Sequence, residues 1–89
     1  MRYTVLIAGK TGNYNVMFPD CPGCVAQGAT FEGALTNAHD ALGAWVRERT
    51  RSGMALPEPR PVVVLQKEDR EIANALAEGG ILATVGLQS

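Results

Sequence analysis

The apolar positions change period once along the chain, near residue 30. Residues 3–8 (Tyr-Thr-Val-Leu-Ile-Ala) are rich in β-branched and aromatic types and read as a strand. Gly9-Lys10-Thr11-Gly12-Asn13 supplies the residues that a hairpin needs at positive φ. Tyr14-Asn15-Val16-Met17-Phe18 alternates with period two, which sets Tyr14, Val16 and Phe18 on one side of a sheet. Pro19 ends that ladder by removing a donor. Residues 24–28 then make a short third strand, completing an antiparallel meander.

From Thr30 onward the spacing becomes helical. Thr30 is placed to cap the helix, its hydroxyl meeting a free N–H of the first turn. Gly33 stands where a capping box would have Glu or Gln, so Glu32 helps only through the helix dipole. Phe31, Leu35, Ala38, Leu42, Trp45 and Val46 form the apolar stripe of a helix lying on the sheet. Ala34 and Ala41 allow close approach. Ser52-Gly53 ends the run with a residue suited to the left-handed conformation.

Residues 54–61 (Met-Ala-Leu-Pro-Glu-Pro-Arg-Pro) read as an extended, proline-stiffened connector. Val62-Val63-Val64-Leu65 suits a strand or the first turn of a helix, and periodicity does not separate the two. Ile72, Ala73, Leu76 and Ala77 mark a second, short helix within residues 68–78, broken by Gly79-Gly80. Residues 81–87 form a last apolar strand. The expected fold is α+β in the order β-β-β-α-α-β. It comprises a three-stranded antiparallel meander, a fourth C-terminal strand, one long helix packed on the sheet and one short helix. Residues 1–89 make a single domain without internal repeats.

Composition narrows the function classes. The 89 residues carry a net charge of −1, with 46% hydrophobic and 19% charged residues. That balance suits a globular domain and gives no bulk attraction to polyphosphate. A domain this short has a thin core, so marginal stability or reliance on a partner subunit is expected. No stretch approaches the roughly 20 apolar residues of a membrane span. The N-terminus enters a strand pattern directly, without the apolar core of a signal peptide. The expected compartment is the cytoplasm, where two cysteines ordinarily stay reduced.

The stretch from Phe18 to Thr30 carries a family resemblance. Tyr-x-Val in the first strand precedes Phe18-Pro19-Asp20-x-Pro22-Gly23-Cys24. Gly28-x-Thr30, a long helix and Pro57-x-Pro59 follow. This set resembles the N-terminal domain of HicB-type antitoxins, over about residues 3–59 and more faintly in the last strand. The resemblance implies a partly degraded ribonuclease H-like fold. It also implies an antitoxin role: neutralising, by direct binding, a HicA-type toxin, a small basic protein that cuts mRNA with a single histidine. Self-association into homodimers or homotetramers is implied too. Phe18, Pro19, Asp20, Pro22, Gly23, Cys24, Gly28, Thr30, Pro57 and Pro59 would shape the scaffold without necessarily touching the toxin. Antitoxins of this type commonly continue into a DNA-binding segment. This sequence ends at Ser89 after the last strand, so direct DNA binding is not expected of it.

Each candidate for chemistry has a plainer reading. Cys21-Pro22-Gly23-Cys24 is a C-x-x-C, a spacing found in redox pairs and zinc sites. Only His39 could add a further soft ligand, and the family usually has an apolar residue at the position of Cys21. Two thiols packed in a turn, with Cys24 buried, is the favoured reading. Asp20, Glu32 and Asp40 are the carboxylates near the joint, and a residual metal-dependent nuclease would need acids converging on a metal pair. The first two strands contain no Asp or Glu, so exposed charges and a turn cap at Asp20 are favoured. His39 has no nucleophile evidently within reach; it is expected near the boundary of the packed face, as a satisfied or solvent-facing histidine. Arg47, Arg49 and Arg51, with Glu48, suit the helix C-terminus better than RNA contact. Gly9-x-x-Gly12 lies in a hairpin and lacks the ending of a phosphate loop. The sequence therefore predicts a binding module rather than an enzyme, with neither cofactor nor metal. The alternatives are a residual metal-dependent nuclease and an orphan oligomeric domain without a toxin.

Overall fold

Strand β1 (Arg2–Lys10) forms an inner strand of the sheet, and its residues from Tyr3 to Ile7 are all buried. A strand buried without alternation must be covered on both faces. This computed structural model, which describes residues 1–86, shows how that is done. Strands β2 (Asn13–Met17), β3 (Val25–Gly28) and β4 (Ile81–Gly86) complete an antiparallel sheet in the order β3-β2-β1-β4. Ile7 lies opposite Val16 on one side and Ile81 on the other.

One face carries Tyr3, Val5, Ile7, Val16, Phe18, Ala26 and Val85, and the long helix α1 (Phe31–Arg51) packs on it. Ala34, Ala38 and Leu42 of α1 are fully buried there. Phe31, Leu35, Trp45 and Val46 flank them, as the stripe predicts. Twenty-one residues at about 1.5 Å each give a helix of roughly 31 Å. The Thr30 hydroxyl accepts the Gly33 N–H at 2.9 Å. At the other end Met54 N–H donates to the Arg49 carbonyl and Gly53 N–H to that of Thr50, each at 3.0 Å, with Gly53 at φ 75°. This is a Schellman ending, and it satisfies carbonyls that the helix leaves free.

The opposite face is covered by two short helices, where the sequence led us to expect one. Helix α2 (Val62–Glu68) and helix α3 (Arg70–Ala77) meet at Asp69. Val62–Leu65 is thus helical, opened by Pro61. The Asp69 carboxylate accepts the N–H groups of Glu71 and Ile72 at 3.0 and 3.3 Å, so it caps a new helix instead of continuing the old one. Leu65 and Ile72 point at Leu6 and form a second core with Met17, Ala75, Leu76 and Leu82. The third strand begins at Val25, one residue later than the pattern suggests. β4 is described to Gly86, and Leu87 lies outside the described residues.

Candidate functional site

The joint between β2 and β3 consists of two consecutive β-turns that share Cys21. In the first, Phe18-Pro19-Asp20-Cys21, the Cys21 N–H donates to the Phe18 carbonyl at 3.2 Å. In the second, Cys21-Pro22-Gly23-Cys24, the Cys24 N–H donates to the Cys21 carbonyl at 3.0 Å. Each turn has proline at its second position, where a φ near −65° is required. The third position distinguishes them. Gly23 takes φ 84°, which makes the second turn type II, while the first has Asp20 at negative φ. The Phe18 N–H reaches back to the Cys24 carbonyl at 3.4 Å and closes the pair.

This arrangement turns Asp20 inward. Its carboxylate accepts the Arg60 backbone N–H at 2.8 Å and the Arg60 Nε–H at 2.6 Å. The side chain of Asp20 is 5% exposed and that of Arg60 37%. The hydrogen bond to Asp20 raises Arg60 above the ordinary arginine value, and the negative charge of Asp20 adds to the effect. The expectation that Asp20 caps its own turn is therefore corrected, since both its bonds go to Arg60. The turn geometry points its carboxylate at a chain segment forty residues away, which no local pattern reveals.

The proline-stiffened connector is tied down at two further points. The Tyr3 hydroxyl donates to the Pro57 carbonyl at 2.8 Å, and Arg49 Nε–H donates to the Ala55 carbonyl at 2.9 Å. The Arg49 guanidinium also lies 4.7 Å from the centre of the Trp45 ring. The Trp45 indole N–H in turn donates to the Pro22 carbonyl at 3.0 Å. Arg60, Tyr3, Arg49 and Trp45 thus gather the two turns, the end of α1 and the connector into one assembly. Sequence reasoning gave none of these four a tying role, because Arg60, Tyr3 and Trp45 bond to groups far along the chain and Arg49 reaches past the end of its own helix.

Gly28 has a different structural task. A Cβ there would stand 2.7 Å from the Ala34 Cα, so the first turn of α1 rests directly on β3. Asn37 Nδ2–H adds a bond of 2.7 Å to the Gln27 carbonyl. Both cysteines are free and buried in the core under α1, as the plainer reading of the C-x-x-C expects.

The other candidates do not converge. Glu32 and Asp40 are exposed on α1, and Asp20 is engaged by Arg60. Among the described residues no three His, Cys, Asp or Glu side chains are grouped to hold a metal ion. His39 is exposed, in line with the solvent-facing reading, and it lies outside the boundary of the packed face because the buried positions on that turn are Ala38 and Leu42. Arg47 and Arg51 are exposed, and Arg51 lies 3.3 Å from Glu48 in a solvated pair. What is left open is the outline of the sheet. β3 and β4 are its outer strands, neither has a charged residue, and Val25 and Ile81 are 63% and 49% exposed.

Comparison with known proteins agrees with this architecture. The family described as "HicB_like antitoxin of bacterial toxin-antitoxin system" matches residues 3–84. The chain belongs to the HicB-like antitoxin family. Among curated relatives, the UPF0150 protein of Thermoplasma acidophilum is 36% identical over 58 residues, which cover 64% of this chain and 84% of that protein. Among solved structures, a chain of the HicA3 and HicB3 toxin-antitoxin complex is similar with a TM-score of 0.76 and 27% identity, with 100% of both chains covered. The crystal structure of antitoxin HicB3 is similar with a TM-score of 0.77 and 28% identity, covering 99% of this chain and 62% of that one. The chain thus spans 62% of that HicB3 chain. The HicB-like fold accounts for the α+β order read from the sequence. Among the described residues no helix is long and apolar enough to cross a membrane.

Proposed function

We propose that this protein is the binding half of a toxin–antitoxin pair and neutralises a HicA-type, mRNA-cleaving toxin by covering it directly. The observation that carries this reading is its likeness, over the whole chain, to a chain found in a toxin–antitoxin complex. The geometry supports it: a rigid sheet is covered by helices on both faces, and its uncharged outer strands remain open. Such edges offer backbone groups for pairing with another chain. Val25 and Ile81 would add apolar contact beside them. In this reading the protein works in the cytoplasm, as a homodimer or homotetramer, and binds the toxin without catalysis. Phe18, Pro19, Asp20, Pro22, Gly23, Cys24, Gly28, Thr30, Pro57 and Pro59 build the scaffold behind that surface.

The test is co-expression with a HicA-type toxin, taken from the reading frame adjoining this gene where that frame encodes a small basic chain. Rescue of growth together with co-purification of the two chains is the expected result. Failure of rescue by well-folded protein would move the reading to an orphan oligomeric domain. A metal-dependent nuclease is disfavoured by the engagement of Asp20 with Arg60 and by the exposure of Glu32 and Asp40.

A further inference from the structure

The antitoxin reading uses Cys24 as packing in the scaffold and makes no use of the thiol chemistry of the pair. Cys21 and Cys24 are the first and last residues of the type II turn, and both are free. A β-turn brings the Cα atoms of its outer residues within about 7 Å. Disulfides occur at Cα separations of about 4.4–6.8 Å. Pro22 and Gly23 already hold the backbone that such a bridge would span, and both side chains enter the same core cluster. No third ligand stands with them among the described residues, and the Cys24 N–H donating to the Cys21 carbonyl at 3.0 Å holds the two Cα atoms within the span of a turn.

We propose that Cys21 and Cys24 are a latent dithiol that a disulfide oxidant converts, within the native fold, to an intra-turn disulfide. One cysteine, as thiolate, attacks the oxidant and forms a mixed disulfide, expelling the first oxidant thiol. The second cysteine, as thiolate, attacks the protein sulfur of that bond and expels the other. The protein loses two protons and two electrons, and the oxidant is reduced to two thiols. Glutathione disulfide is an oxidant of this class.

Burial sets the rate of the switch. It pushes the Cys21 thiol up to about 12, with smaller contributions from Cys24 and Asp20, and it raises Cys24 as well. Only a thiolate attacks, so oxidation proceeds through brief opening of the turn. Pro22 and Gly23 are already exposed at its tip. Closure of the ring fixes the Pro22 carbonyl that receives the Trp45 indole N–H, and it stiffens the turn next to Asp20. Trp45 is the one tryptophan of the chain, so its fluorescence reports on this turn.

The experiment equilibrates the folded protein in glutathione buffers of increasing oxidised fraction, then measures intact mass, Trp45 fluorescence and the thermal midpoint. The expected result is the loss of two hydrogen atoms with no retained glutathione. Trp45 emission should change in step, and the midpoint should rise. Cys21→Ser should instead retain a glutathione adduct on Cys24. Should that variant fail to fold, the wild-type masses decide. The proposal is overturned if folded protein stays reduced in a buffer that oxidises the urea-unfolded chain. It is equally overturned if the bridged form has a lower midpoint than the reduced form.

Discussion

Asp20 holds Arg60 twice, through the backbone N–H at 2.8 Å and the guanidinium Nε–H at 2.6 Å. One carboxylate thereby fixes both the position of the connector and the side chain that leaves it. The contact lies where the sheet, the tandem turns and the entry to α2 come together. Because Asp20 is buried and Arg60 is partly exposed, this pair sits between a surface salt bridge and a fully buried one.

Asp20→Ala is expected to destabilise the fold by about 1.5–3 kcal/mol, the range for hydrogen bonds to a charged group. Arg60→Ala should cost less, since the backbone N–H of residue 60 still bonds to Asp20. Urea denaturation of both single variants and the double variant measures the coupling. Strict additivity of the two effects would contradict the clamp.

Gly28→Ala should destabilise by about 1–3 kcal/mol, the usual cost of forcing a methyl group into closed packing. The added carbon meets backbone atoms of α1, which cannot rotate away as a side chain could. A thermal midpoint equal to that of wild type would show that α1 can lift from β3 without cost.

The second core predicts that the small helices are structural. Leu65→Ala and Ile72→Ala should each cost about 2–5 kcal/mol, as truncations of fully buried aliphatic side chains do. Val63→Ala, at an exposed position of α2, should change stability by less than about 0.5 kcal/mol. Similar midpoints for Ile72→Ala and Val63→Ala would remove the second layer from the account of stability.

The thiols and Tyr3 predict sensitivity to alkali. Burial raises Cys21 from 9.0 to about 12 and also raises Cys24. Tyr3 is raised above 10.0, first by burial and then by the negative charges of Cys21, Asp20 and Glu58. In each case the folded protein binds its proton more tightly than the unfolded chain does. The associated stability is complete below pH 9.0 and is lost as pH rises toward about 12. Within that window one such thiol removes on the order of 1 kcal/mol per pH unit. Urea midpoints for reduced protein between pH 8 and about pH 10.5 should fall, and Cys21→Ala should flatten the decline. A profile that stays level across this range would contradict the burial of these groups.

Local chemistry wrote much of the fold into the sequence. The alternation of Tyr14, Val16 and Phe18, the spacing from Phe31 to Val46, the Thr30 cap and the Gly53 ending each follow from contacts within a few residues. They are found where the pattern sets them. The second layer left a trace in the unbroken apolar run of β1, whose Leu6 points away from α1. Read as strand propensity alone, that run did not reveal two covered faces. Asp69 likewise carried a helix-starting signal, which separates the expected short helix from the one that Val62-Val63-Val64-Leu65 opens.

Tertiary structure alone decided the joint. Phe18-Pro19-Asp20 and Cys21-Pro22-Gly23 announce turns, but the direction of each side chain depends on how the two turns are stacked. Asp20 meets Arg60 forty residues on, and Tyr3 meets Pro57 fifty-four residues on, once the connector has crossed the sheet. The sequence by itself determined every element except helix α2, their order and the family resemblance, because helices, strands and turns answer to neighbours along the chain. Only folding determined which charges are buried and which strand edges stay open, because those depend on what the finished chain brings against them.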